Sequence, residues 1–154
     1  MPDFQTSFYF SLAIGNDSSE SDAAFQEVSG LNAQLDVEEV VSGGENRFKY
    51  RLPTTTTYPN LILKRGVASA PSPLVAWCAR TLGDGLASPI TCKDLLLSLL
   101  DKNGQTTMSW SFLGAYPVKW AINDLKSQES NILIETIELV YRYVSIADPR
   151  AKPR

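Results

Sequence analysis

The side chains that could carry out chemistry in this chain form a short inventory. There is no histidine. That removes the usual proton-transfer group near neutral pH, the Ser–His and Cys–His nucleophile pairs and the commonest metal ligand. Cys78 and Cys92 are the two thiols, too few for a disulfide framework. Cys78 falls on the apolar side of a predicted helix and Cys92 at the entry to a predicted strand, so both read as small buried hydrophobes. The carboxylates Asp94, Asp101, Glu135 and Glu138 offer no pair with an acid–base argument beyond nearness in sequence. The chain is therefore expected to have no catalytic residues, no cofactor site and no metal site, and not to be an enzyme.

The charges that do follow a pattern point to contact rather than catalysis. Leu35, Val37, Val40 and Val41 lie among Asp36, Glu38 and Glu39, followed by Ser42-Gly43-Gly44-Glu45-Asn46 and then by Arg47, Lys49 and Arg51 alternating with Phe48, Tyr50 and Leu52. This predicts a hairpin with an acidic outgoing strand and a basic returning one, turning at Gly43-Gly44. Two readings stand side by side. The charges form cross-strand ion pairs of a few tenths of a kcal/mol, roughly, or Glu38, Glu39, Arg47 and Lys49 meet another subunit.

The elements that must position these groups are mostly strands. Phe8, Phe10, Leu12 and Ile14 alternate with Ser7, Tyr9, Ser11 and Ala13, the period of a half-buried strand. Gly15 to Asp22 reads as an exposed loop, Phe25 to Val28 as extended chain, and Ser29-Gly30 as a bulge or bend. Pro53 and Thr54 to Thr57 read as a stiff polar connector. Leu61 to Lys64 is a short strand, and Lys64-Arg65-Gly66 reads as its solvated end.

One helix is expected over about residues 73–82. Ser72 can cap it, Pro73 suits its first turn and Gly83 the position just past its end. Leu74, Trp77, Cys78 and Leu82 give a single apolar stripe, which must dock on a sheet because so short a helix is not stable alone. Trp77 is read as a core anchor.

Further on, Ile90 to Leu100 is a Leu-rich strand closed by the turn Asp101-Lys102-Asn103-Gly104. Met108, Trp110 and Phe112 alternate with Ser109 and Ser111. Ala115-Tyr116-Pro117-Val118 is expected to break that strand, with a short extension from Trp120 to Leu125. A long final strand is expected from Ile132 to about Ser145. Leu133, Ile137, Leu139, Tyr141 and Tyr143 share one face, while Ile132, Ile134, Val140 and Val144 surround Thr136, Glu138 and Arg142 on the other. A strand apolar on both faces is usually covered on both, which makes Ile134, Val140 and Arg142 candidates for an interface.

Composition bounds the rest. The chain has 154 residues, 44% of them hydrophobic and 20% charged, enough for one globular domain with a real core. A single domain is expected over residues 1–147, followed by a basic, proline-broken and flexible tail over 148–154, in which Arg150 orders on assembly. The net charge of −3 and the lack of a basic, aromatic-interleaved stripe argue against nucleic-acid recognition. Met1 to Gln5 lacks the basic and apolar regions of a signal peptide, and no apolar run is long enough to span a bilayer. Cytoplasmic synthesis is the expectation.

The ordered markers, Phe25 to Leu31, the Gly43-Gly44 hairpin, Leu52-Pro53, Asn60 to Gly66, the helix with Trp77, Trp110-Ser111-Phe112, Ala115-Tyr116-Pro117 and the closing Glu135-to-Tyr143 strand, resemble the tail-tube proteins of contractile phages. The likeness is greatest to the inner-tube subunits of extracellular contractile injection systems. The chain departs from that pattern where Thr54 follows Leu52-Pro53 in place of the family's frequent Gly, and in its basic tail.

The resemblance implies a mainly β fold, a small β-barrel or sandwich of two packed sheets with one flanking helix. It further implies homohexameric rings that join sheets around a channel and stack into a tube inside a contractile sheath. Implied partners are further copies of the chain, the sheath protein, baseplate or hub and tube-terminator proteins, and a lumenal cargo protein. DNA would pass the lumen only in a true phage, and no stable membrane insertion is implied. The particle can be a virion or a phage-like body released from the cell. A tube initiator or terminator is the alternative within this class, and a monomeric β-sandwich ligand-binding module the alternative outside it.

Overall fold

The computed structural model describes residues 8–15, 21–41, 49–67, 71–83, 89–123 and 133–151. In chain order its elements are β1 (Tyr9–Ile14), β2 (Ser21–Phe25), β3 (Glu27–Ser29), β4 (Gln34–Val41), β5 (Lys49–Thr57), β6 (Leu61–Gly66), α1 (Pro73–Gly83), β7 (Lys93–Leu100), β8 (Thr106–Ile122), β9 (Ile134–Val140) and β10 (Tyr143–Ala147), with a 3-10 turn at Pro149–Ala151. The chain divides into two compact units, one comprising Met1–Ser29 with Asn60–Arg154, the other Gly30–Pro59.

The larger unit is built on one long, bent hairpin. β8 pairs along one edge with β10 in its first half, from Leu113↔Tyr143 to Ser109↔Ala147. In its second half the same edge pairs with β9, from Tyr116↔Val140 to Ile122↔Glu135. The first half also carries β7, then β1 and β2, on its other edge. Beyond β9 the second half continues to β6 and β3. The result is two sheets sharing β8, with strand order β2-β1-β7-β8-β9-β6-β3 and β10 attached to β8. The described strands do not close into a barrel, yet the two ends of this path, β2 and β3, are consecutive in the chain. They are joined through Gln26, whose amide donates to the Lys64 carbonyl at 2.9 Å.

The corner between the sheets is Gly114. Its φ of 67° lies in the left-handed region, which costs little only for glycine. Its amide donates to Asp94 Oδ1 at 3.0 Å, while the Arg142 amide donates to the Leu113 carbonyl at 2.9 Å. A Cβ at residue 114 would lie 2.7 Å from Arg142 Cδ. The bend is therefore fixed on both strands of the hairpin at the same level.

The inward-facing residues form matched rows across the first sheet. Leu12, Leu97 and Trp110 lie opposite one another and are buried, the row ending at the exposed Ile146 on the edge strand; Ile14, Leu95 and Phe112 form the next buried row, which ends at Val144. Leu61, Leu63, Ile137 and Leu139 supply the second sheet's inner face, all fully buried. Each such side chain contributes about 1.5–3 kcal/mol of transfer free energy. α1 adds Leu74, Trp77 and Cys78, all buried. Ser72 caps it, its hydroxyl accepting from the Val75 amide at 3.1 Å, and Trp77 Nε1–H donates to the Thr91 carbonyl at 2.9 Å.

Several sequence expectations are corrected here. Ala115 to Val118 does not break β8; the bend at Gly114 lets one strand of 17 residues serve two sheets. The long final strand is two strands, because the chain turns at Tyr141-Arg142 to follow that bend. Phe25 to Val28 is interrupted at Gln26, where the chain passes from one sheet to the other. Pro53 and the threonine run belong to β5, and β7 begins at Lys93 rather than Ile90. Cys92 is exposed, since it precedes β7, whereas Cys78 is buried. Leu82 is 40% exposed, the helix end lying beyond the sheet's cover. The turn at Asp101-Lys102-Asn103-Gly104 forms as expected, with Asp101 Oδ1 accepting from the Asn103 and Gln105 amides and Gly104 at φ 81°.

The second unit is the β4–β5 hairpin. Val37 lies opposite Pro53, Glu38 opposite Leu52, Glu39 opposite Arg51 and Val40 opposite Tyr50, with a register shift at Asp36. There the Thr54 hydroxyl donates to the Asp36 carbonyl at 3.1 Å.

Candidate assembly interface

Alternation puts inward and outward residues on the same strands, so the outer faces of the larger unit can be read directly from the register. On the first sheet, Ser11 lies opposite Ser98, Ser98 opposite Ser109 and Ser109 opposite Ala147. The next row runs Ala13, Leu96, Ser111 and Ser145. These rows carry no charge and few long side chains. The second sheet's outer face differs: one row runs Ser29, Ile62, Glu138 and Lys119, the next Glu27, Lys64, Thr136 and Ala121. Lys64 Nζ stands 3.9 Å from Glu27 Oε2, both exposed enough for the pair to be weak.

Strand edges are the second resource. Among the described strands β2 pairs only with β1, and β10 only with β8, so the first sheet presents an unpaired edge at each end. β10 also exposes Tyr143 and Ile146. Unpaired edges of this kind invite pairing with another chain.

The hairpin unit is the third. Leu35, Val37, Val40 and Leu52 are 55%, 48%, 38% and 50% exposed. A two-stranded hairpin is marginal in water without a third surface against it. Opposite charges do meet across it, Glu39 facing Arg51 in register.

Among the described residues no group of three or more Cys, Asp or Glu could hold a metal ion, and no helix is long and apolar enough to cross a membrane.

The family model of the T4-like virus tail tube protein gp19 matches residues 6–145. The chain belongs to this tail tube family. Solved structures of similar fold include chains from the anti-feeding prophage, from an extracellular contractile injection system and from Hcp proteins. A chain from the anti-feeding prophage baseplate, 6-fold symmetrised, superposes with a TM-score of 0.76 at 29% identity, covering 96% of this chain and 97% of that one. A chain of the PVC sheath–tube complex in the extended state gives 0.72 at 23% identity, covering 90% and 88%. Hcp1 from Flavobacterium johnsoniae gives 0.52 at 18% identity, covering 90% and 94%. No curated protein matches the chain.

Within this tube-family protein the residues singled out from sequence fall in separate places. Glu38 and Glu39 are exposed on β4, opposite Leu52 and Arg51, and Lys49 begins β5 opposite Val41. Gly43, Gly44 and Arg47 lie outside the described residues. Ile134 and Val140 share the half-buried outer parity of β9 with Thr136 and Glu138. Arg142 is exposed and its stem crosses Gly114. Arg150 is exposed and pairs with Asp148, Nη2 to Oδ2 at 2.7 Å. That hydrogen-bonded pair holds the Asp148 carboxyl below its ordinary range and raises the Arg150 guanidinium.

Sequence reasoning missed three things: the corner at Gly114, the exposed apolar residues of the hairpin as a group, and a charge pair inside the core. Of Lys64-Arg65-Gly66, read as a solvated strand end, Lys64 keeps its side chain partly in water but Arg65 does not. Arg65 is almost buried, its Nε donating to Glu135 Oε1 at 3.0 Å. The signal was available in parity. Arg65 has the phase of Leu61 and Leu63, and Glu135 that of Ile137 and Leu139.

Proposed function

We propose that this protein is an inner-tube subunit of a contractile injection system or contractile phage tail. Its membership of the tail tube family over residues 6–145 carries the reading. In this account six copies form a ring by a head-to-tail contact, since a closed ring needs two different surfaces on each subunit. The unpaired β2 and β10 edges supply two such surfaces on one sheet, and joining them removes both edges. The 6-fold symmetry of a similar solved assembly supports the number.

Rings then stack through the hairpin unit. Its exposed Leu35, Val37, Val40 and Leu52 supply area, and its charges set register, because complementary charge specifies geometry more than it adds affinity. The sheath, baseplate and terminator proteins are the further partners, and a cargo protein can occupy the lumen. Synthesis is cytoplasmic, followed by incorporation into a virion or phage-like particle.

A second reading is favoured by a specific observation. Similar structures include a tube-terminating cap and a sheath/tube terminator as well as the sheath–tube complex. A tube-end paralogue would form single rings, and a main tube subunit long polymers. Reversing Arg47 and Lys49 to Glu tests the stacking surface. The expected result is a folded subunit that polymerises poorly by electron microscopy; tubes of normal length from that variant contradict the assignment.

A further inference from the structure

Among the described residues the buried set is apolar except for Glu135, which is 4% exposed. Both of its oxygens are used. Arg65 Nε donates to Oε1 at 3.0 Å, and Trp120 Nε1–H to Oε2 at 2.9 Å. Arg65 reaches further: Nη2–H donates to Ser72 Oγ at 2.8 Å, and its guanidinium lies 4.9 Å from the Phe25 ring centroid. The same Ser72 hydroxyl accepts from the Val75 amide as the cap of α1. One charge pair therefore touches β6, β9, the end of β8, β2 and the first turn of the helix.

We propose that Arg65 and Glu135 form a positioning latch that fixes where α1 and Trp120 sit against the sheets, rather than a net source of stability. Leu74, Trp77 and Cys78 hold the helix by apolar contact, which is non-directional and tolerates sliding along an apolar sheet. A hydrogen bond from Arg65 to the capping hydroxyl forms at a single axial position of the helix. Replacing a buried ion pair by apolar residues of similar volume often leaves stability unchanged or raised, because two charges no longer have to be desolvated. Removing one partner alone leaves a buried charge uncompensated. The pair's value thus lies in specifying one arrangement.

The test is a double-mutant cycle of Arg65→Met, Glu135→Leu and the two together. It is read by denaturant unfolding and by the indole N–H signals of Trp77 and Trp120 in NMR. Glu135→Leu is expected to lower the folding constant about 100-fold or more. The double variant is expected to return to within about tenfold of the parent, with broadened or multiple indole signals. Single, sharp, parent-like indole signals from a stable double variant would overturn the latch. A double variant no more stable than the less stable single variant would make the pair a net stabilising element, and single effects that simply add would mean the two groups are not coupled; either would overturn the proposal equally. Ser72 gives an independent arm that does not disturb the charges. Ser72→Thr keeps the hydroxyl and is expected to keep sharp indole signals, while Ser72→Ala is expected to broaden that of Trp77; identical spectra from the two would also contradict the latch.

Discussion

The two compact units treat the inside–outside rule differently. The larger one exposes apolar residues such as Phe8, Tyr143 and Ile146 but has a buried apolar core with a charge pair inside it. In the hairpin, by contrast, Leu35, Val37, Val40 and Leu52 are all exposed. The first exception is complete in itself. Glu135 spends both oxygens within the subunit, and no buried side-chain nitrogen or oxygen among the described residues lacks a partner. The second is incomplete. Leu35, Val37, Val40 and Leu52 leave between 38% and 55% of their surface in water on a strand pair that has no third strand in its own unit. A finished exception specifies the fold, whereas an unfinished one specifies a neighbour.

The contrast breaks first, and with the largest effect, at the hairpin. Leu35→Ser together with Leu52→Ser should abolish polymer formation while shifting the unfolding free energy by less than ~0.5 kcal/mol, as surface substitutions do. Sedimentation and thermal unfolding check the two halves of that statement. A destabilisation above about 2 kcal/mol, the size expected for truncated core residues, would mean that these side chains are already covered within the monomer, and the distinction would fail.

Within the larger unit, Gly114→Ala should cost about 1–2 kcal/mol for the left-handed backbone alone, and more for the contact with Arg142. Adding Arg142→Ala should recover the contact component and leave the backbone component. Denaturant midpoints of the three variants separate them, and an unstable Arg142→Ala chain on its own would show that the arginine stem does more than border the corner.

Ser72→Ala should cost about 1 kcal/mol as the loss of a helix cap, measured the same way. The smallest effect is expected at the tail. The Asp148 carboxyl is held below its ordinary range by Arg150, so this link is complete above the ordinary carboxylate range and is lost as pH falls through the lowered value. The pair is solvent-exposed, and Asp148→Asn should leave unfolding unchanged at neutral pH. A measurable loss would place the tail among the structural elements of the larger unit.

Much of the fold was legible in the residues because alternation reports burial directly. Leu12 and Ile14, Trp110 and Phe112, and Ile137 and Leu139 all face inward as their period requires. The Ser72 cap and the Asp101 turn were legible because capping and turn geometry are local. What period two does not encode is where a strand changes sheet. Tyr116-Pro117-Val118 looks like a break, yet Pro117 is accommodated beside a register shift and β8 runs on. Glycine at 114 is the only residue type suited to that bend, but a lone glycine in a strand has several meanings.

The residues proposed for assembly were read from sequence mainly as charges, with Gly43, Gly44, Ile134 and Val140 beside them. Glu38 and Glu39 stood out in sequence, whereas the significance of Leu35, Val37, Val40 and Leu52 depends on their exposure, which no local pattern reports. The charge pair was hidden for a different reason. Arg65 and Glu135 share the parity of buried neighbours, but charged side chains are almost always solvated unless paired, so parity alone does not mark them as core. Two opposite charges that both carry core parity on strands of one sheet are better read as partners.

The central claim is that this chain works by closing and stacking rings of itself. Native mass spectrometry of the purified protein at high concentration, paired with electron microscopy of the same sample, measures that directly. The expected result is a hexamer and its multiples, with a central hole in every ring viewed end-on. A strict monomer at the same concentration would contradict it and return the protein to the class of single-copy β-sandwich binding modules.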